Sequence, residues 1–180
     1  PTFDGVWTPS WDAKQHERAV GAVRRRIAAG DTYQCNLTTT STTQYDGDVA
    51  DLYRHLALGQ RGRYNAHLDI GRHSILSASP ELFFELVGTC VTMRPMKGTA
   101  GRGRTTVEDD AIVSSLVTSD KERAENLMIV DLVRNDLARI ARVGTVRVPT
   151  LFRPERYDTV HQLTSDVTAE AGAGTSVTDL

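Results

Sequence analysis

The stretch from Tyr64 to Arg94 limits what this chain can fold into more than any other part of it. Two glycine-containing pairs, Gly71-Arg72 and Gly88-Thr89, divide it into Tyr64–Ile70 with His73–Ala78 and Leu82–Val87 with Cys90–Arg94. Short runs of this composition, joined by two-residue glycine turns, predict antiparallel hairpins. The segment therefore reads as a four-stranded meander, and the rest of the chain must pair with that sheet or cover it.

Helices supply the cover. Ser10 is a fitting N-cap for a helix running to about Ala29, with Gly30 as its stop, and Val20, Val23 and Ile27 recur on one face. A short helix is expected around Ala50–Leu58. A longer one runs from about Ser119 to Ala141, opened by the capping sequence Ser119-Asp120-Lys121-Glu122. Tyr33–Thr40 alternates Tyr33, Cys35 and Leu37 and predicts a strand, as do Val143–Val148 and Val160–Ala169. Lys97 to Arg104 carries Gly98, Gly101 and Gly103 and reads as a glycine-rich loop. Helices separated by hairpins, without regular βαβ alternation, define an α+β fold, and 180 residues suit one domain.

Charge and composition remove several function classes. With 21 basic and 23 acidic residues the net charge is −2, which argues against nucleic acid as a partner, since phosphate binding needs a clustered basic excess. The one basic run, Arg24-Arg25-Arg26, diverges around a helix and reads as a solvated face. No run approaches the ~20 apolar residues of a membrane span, and the N-terminus lacks a signal-peptide pattern, so no membrane partner is expected. Cys35 and Cys90 are far apart and fall in strand-like runs, where a thiol behaves as a small apolar group. A reducing, cytoplasmic setting follows.

Three groups of residues could carry chemistry. Lys97 opens the glycine-rich segment. It is compatible with a solvated lysine, with an anion-binding group beside backbone N–H groups, or with a nucleophilic amine. The last role requires a neutral amine, hence burial that depresses a pKa of ~10.4. Glu81 follows Ser79-Pro80 and reads either as an exposed turn carboxylate or as a general acid aimed by the proline's restricted backbone. The hairpin Leu82–Arg94 would return the chain so that Glu81 and Lys97 lie close together. Glu122, Glu125 and Asn126 share one helical face, either as a solvated surface with a Lys121–Glu125 pair or as a hold for Mg2+. Asp131, in an apolar run, needs a partner such as Arg134 or Arg139.

In order along the chain, these segments resemble the chorismate-binding enzyme family, which includes anthranilate, aminodeoxychorismate, isochorismate and salicylate synthases. The resemblance rests on the stretch from Ala29 to Leu37, Ser79-Pro80-Glu81-Leu82-Phe83, Arg94-Pro95-Met96-Lys97-Gly98-Thr99, the run from Lys121 to Asp136, and Val146-Arg147-Val148-Pro149 through Thr168. It covers nearly the whole chain, and the run from Arg123 to Asp136 is its most specific part. It implies an antiparallel-sheet-rich α/β sandwich. It also implies that chorismate is the substrate, that Glu125 is a Mg2+ ligand with Glu122 behind it, and that Gly98 and Thr99 lie against the substrate. Lysine before Gly-Thr is similar to the aminodeoxychorismate branch, where the others resemble Pro-x-Ala-Gly-Thr. Lys97 would then be the nucleophile and Glu81 the acid, with ammonia delivered by a glutamine amidotransferase subunit or fused domain.

The likeness has gaps. Val160-His161-Gln162-Leu163 places Gln162 where family members often carry histidine, and glutamine can hydrogen-bond a substrate but cannot shuttle a proton at neutral pH. The Arg-Pro often found after Gly-Thr is missing. So are a Gly-x-x-Thr-Gly-Ala-Pro-Lys segment and a second Mg2+ glutamate. Residues 1–180 are therefore expected to be the N-terminal, front portion of the catalytic domain, with a half-built metal site.

Overall fold

A computed structural model describes residues 5–180, which divide into two units, one ending at Leu52 and the other beginning at Tyr53. In the first unit β1 (Thr8–Pro9) pairs with β2 (Ser41–Thr42), and α1 (Ala13–Ala28) lies between them in sequence. The N-cap of α1 is Asp12 rather than Ser10. Asp12 Oδ1 accepts from the Gln15 amide at 2.7 Å, and Gln15 Oε1 accepts from the Asp12 amide at 2.8 Å, a reciprocal box that Ser10 has no partner to form. Ser10 instead donates its amide to the Thr40 carbonyl.

The strand expected at Tyr33–Thr40 is not formed; the chain there has no ladder among the described residues, and Tyr33, Cys35 and Leu37 are exposed. A strand exists only through its neighbour, and β1 offers two residues of edge. Both cysteines are exposed free thiols rather than core groups. Helix α2 (Val49–Gln60), close to its expected span, crosses from the first unit into the second.

The second unit is built on both predicted hairpins. β3 (Tyr64–Asp69) pairs with β4 (Ser74–Ser79), and β5 (Leu82–Val87) pairs with β6 (Cys90–Arg94). They do not form one meander: β3–β4 is a separate two-stranded sheet, and β5–β6 belongs to a five-stranded one. Pro80 interrupts the chain between β4 and β5 and has no N–H with which to continue a ladder.

The expected loop after β6 is a strand, β7 (Met96–Gly101). Cys90 faces Glu170, Met93 faces Val167 and Met96 faces Thr164, so β6 and β7 follow one register along a single edge of β9 (Val160–Glu170). Pro95 carries that register across the junction by accepting from the Ser165 amide at 3.2 Å. β8 (Arg147–Arg156) flanks the other edge of β9. It starts later than the expected Val143, which is fully exposed. A pairing with β9 that skips at Thr150–Arg153 places Phe152 at a φ of 55°.

One face of this sheet is covered by α4 (Asp120–Ile140) and by α3 (Thr106–Thr118), a helix the sequence reading left out. Val130, Val133 and Leu137 of α4 meet Val91, Val167 and Ala169 of the sheet in the core. Ser119 caps α4 through the Glu122 amide at 3.4 Å, but the Glu122 carboxylate turns to Lys121 and the expected box is half made. Asp131 is exposed rather than embedded, and it pairs with Arg134 at 3.0 Å.

Candidate active site

The register of β7 against β9 arranges the predicted site. Lys97 faces Leu163 and Thr99 faces Gln162, so two β7 positions separated by Gly98 meet adjacent residues of β9. Gly98 is the extra residue of a β-bulge, at φ 79°, a conformation that favours glycine. In a regular strand Lys97 and Thr99 would share a face; the bulge sends them to opposite ones. Thr99 then donates to Gln162 Oε1 at 3.0 Å, joining two predicted substrate-binding residues. Lys97 is half-buried and shares the side of Leu163, the face of β9 on which Ser165 and Val167 meet α4. A methyl group on Gly98 would lie 3.0 Å from Glu122 Oε2 and 3.3 Å from Leu116 Cδ1, so the bulge abuts the first turn of α4.

Glu81 is exposed at the start of β5, and its Oε1 accepts from the Met96 amide at 3.2 Å. The hairpin thus brings Glu81 to the residue before Lys97. Among the described residues there is no Glu81–Lys97 ion pair. Glu81 also lines a cavity of about 330 Å3 with Pro95, Ile129 and Val133, between the hairpin and α4.

Glu122 and Glu125 converge on one cation, the Lys121 ammonium, at 3.2 Å and 3.6 Å. Its hydrogen bond to Glu122 and the charges of both carboxylates push the Lys121 pKa up. Two carboxylates within reach of one cation fit a hard divalent ion in donor type and spacing. No cluster of three or more acidic, histidine or cysteine side chains suited to a metal is found among the described residues. The third residue of that face, Asn126, is buried and ties α4 to β9. Its Nδ2 donates to the Leu163 carbonyl at 3.0 Å, and its Oδ1 accepts from Ser165 Oγ at 2.5 Å.

A second buried polar group went unrecognised in the sequence. Asp109 accepts from both Arg102 Nε and Nη2 at 2.9 Å, from the Gly103 amide at 2.8 Å, and lies 2.8 Å from His161 Nε2. The Arg102 hydrogen bonds, followed by the Gly103 amide, hold its carboxyl well below the usual carboxylate range. A side chain on Gly103 would collide with the backbone of Asp109, so this approach requires glycine. The cluster clamps the exit of β7 to the entry of β9, at one end of the Thr99–Gln162 pair. The capping pair Thr105 and Glu108, seen as a 3.2 Å bond from the Glu108 amide, is the sequence signal that could have revealed α3 and Asp109.

The sequence signature of the family described as chorismate binding enzyme matches residues 2–180. The chain is 40% identical over 179 residues to aminodeoxychorismate synthase component 1 of Klebsiella aerogenes, covering 99% of this chain and 40% of that protein. It is 35% identical to anthranilate synthase component 1 of Aquifex aeolicus, covering 97% of this chain and 35% of that one. Its fold matches the crystal structure of anthranilate synthase component I from Streptococcus pneumoniae with a TM-score of 0.86 at 30% identity, over 97% of this chain and 38% of that chain. This chain belongs to the chorismate-binding enzyme family. It has that family's helix-covered antiparallel architecture and spans about two fifths of the length of these relatives. No helix among the described residues is long and apolar enough to cross a membrane.

Proposed function

We propose that the chain is the front portion of the aminating component of an aminodeoxychorismate synthase, acting in the cytoplasm on the route to 4-aminobenzoate and folate. The observation that carries this reading is Lys97 itself, a half-buried lysine immediately before the Gly98 bulge, on the side of the strand that abuts Glu122. In the reaction the Lys97 amine attacks C2 of chorismate as the C4 hydroxyl departs with a proton from Glu81. Ammonia from a glutamine amidotransferase then adds at C4 and expels the lysine, giving 4-amino-4-deoxychorismate. Two displacements replace one difficult substitution, which is what a covalent amine offers. Glu125, with Glu122 beside it, would hold Mg2+, which offsets the charge of the substrate carboxylate. Thr99 and Gln162, joined by their hydrogen bond, lie on the other side of β7 from Lys97 and would reach the same substrate past the edge of β7 that does not pair with β9.

A second reading, anthranilate synthase component I, is favoured by the likeness to the Aquifex and Streptococcus proteins. Incubating the full natural polypeptide with chorismate, ammonium and Mg2+ separates the two by product. Mass spectrometry should show 4-amino-4-deoxychorismate, and Lys97→Ala should abolish it. Anthranilate as the product, or unchanged amination by Lys97→Ala, would remove the proposal.

A further inference from the structure

A cavity of about 480 Å3 beside β8 is lined by five arginines, Arg61, Arg63, Arg94, Arg153 and Arg156. Its one lining carboxylate, Glu155, and Asp166, which pairs with the lining arginines Arg94 and Arg153, are already supplied with donors. Glu155 accepts from the Tyr157 hydroxyl at 2.8 Å and from Thr164 Oγ1 and Arg153 Nη2 at 3.1 Å each. Asp166 accepts from Arg94 Nε at 2.6 Å and from Arg153 Nη1 at 2.9 Å. Burial pushes both carboxyls up, but these bonds outweigh it and leave both below their ordinary values, so they stay ionised.

The guanidiniums are less fully occupied. Arg94 is engaged through Nε alone, and Arg63 has no ion pair or hydrogen bond among the described residues. Arg61 reaches Asp158 only at 3.5 Å, with both side chains exposed, and Arg156 turns onto Asp110 at 2.6 Å. The spare hydrogen-bonding capacity of the arginines lining the hollow is all donor capacity, and its least engaged members include Arg94, the more buried, and Arg63, which is exposed. A guanidinium presents paired N–H groups that match carboxylate or phosphate oxygens. A single concavity on a protein of net charge −2 suits a small anion, whereas a nucleic-acid backbone is tracked by a basic stripe.

We propose that this cavity binds a small divalent oxyanion, a dicarboxylate or a phosphate, gripped between the spare N–H groups of Arg94 and Arg63. It uses none of the residues assigned to amination and stands or falls separately from that reading. Calorimetric titration of the chain with malonate and with inorganic phosphate, against chloride at matched ionic strength, tests it. Saturable binding of at least one anion is expected, with Arg63→Gln weakening it about tenfold or more and Arg24→Gln, on α1, leaving it unchanged. Binding of malonate alone identifies a carboxylate site, and of phosphate alone a phosphoryl site. Arg63 is exposed, so its replacement leaves the fold intact, which circular dichroism would verify. Absence of binding beyond chloride overturns the proposal. So does an affinity that Arg63→Gln leaves unchanged, or that both substitutions weaken equally.

Discussion

Replacing Gly98 by alanine tests whether the bulge in β7 is built around the first turn of α4. Two costs add. At φ 79° an L-residue meets a backbone penalty of about 1–2 kcal/mol. The new methyl would also lie 3.0 Å from Glu122 Oε2, 3.3 Å from Glu122 Cβ and 3.3 Å from Leu116 Cδ1. The carboxylate can swing away, but Glu122 Cβ and Leu116 belong to packed helices and must give by a few tenths of an ångström. Overpacking of that kind adds about 1–2 kcal/mol, giving a total of about 2–4 kcal/mol. With a urea dependence of about 2 kcal/mol/M, the unfolding midpoint should fall by about 1–2 M. Gly101→Ala is the control: it ends the same strand, has nothing within 4 Å of its Cβ position and no positive φ. It should be neutral or stabilising by up to about 1 kcal/mol. A Gly98→Ala midpoint indistinguishable from that of the parent chain would refute the close packing of the bulge on α4.

Three further outcomes follow from the buried and paired polar groups. In a double-mutant cycle, Asn126→Ala and Ser165→Ala should couple by more than about 0.5 kcal/mol in urea unfolding, because either one alone removes their shared bond and Ser165→Ala also strips Asn126 Oδ1 of its donor; additive effects would contradict the 2.5 Å bond between them. Lys121→Ala removes the ammonium shared by Glu122 and Glu125, so calorimetry should show Mg2+ bound severalfold more tightly, and unchanged or weaker binding would count against a metal at that pair. Acid should destabilise the fold. Arg102 and the Gly103 amide lower the Asp109 pKa, so between the folded and unfolded values the native state binds fewer protons, unfolding takes protons up, and stability falls with pH. That contribution is fully present above the unfolded value of ~3.9 and is lost as pH drops toward the folded one. Urea midpoints measured from pH 7 to pH 3 should decline below about pH 4, and Asp109→Asn should flatten the decline.

The legible parts of this fold were those whose cause is local. Gly88-Thr89 specifies a turn wherever it occurs, and the β5–β6 hairpin falls on the expected residues. The misread parts depend on distant partners. Met96–Gly101 is glycine-rich and looks like a loop by composition, yet it is held as a strand by residues 59 to 68 positions away on β9. Tyr33–Thr40 has the composition of a strand and no ladder among the described residues. Asp109 and His161 are 52 positions apart, and neither has a periodic context that would mark it as buried.

The same distinction explains why the candidate residues were readable before their arrangement was. Lys97, Gly98 and Thr99 stand out as residue types in an order, and that order says nothing about faces. The faces come from one unpaired residue. Because Gly98 adds a residue to β7 that β9 does not match, Lys97 turns to the side of α4 and the Glu122–Glu125 pair, while Thr99 turns to Gln162. The proposed amine and the hydrogen-bonded pair are thereby placed on the two sides of a single strand, with Lys97 and Thr99 two positions apart. Deleting Gly98 would close the bulge and make Lys97 and Thr99 neighbours in a regular strand, which keeps them on opposite faces with Thr99 still opposite Gln162. Such a deletion should therefore leave Thr99 paired with Gln162 while withdrawing the bulge from Glu122 and Leu116, and loss of the Thr99–Gln162 coupling in a double-mutant cycle would contradict this register.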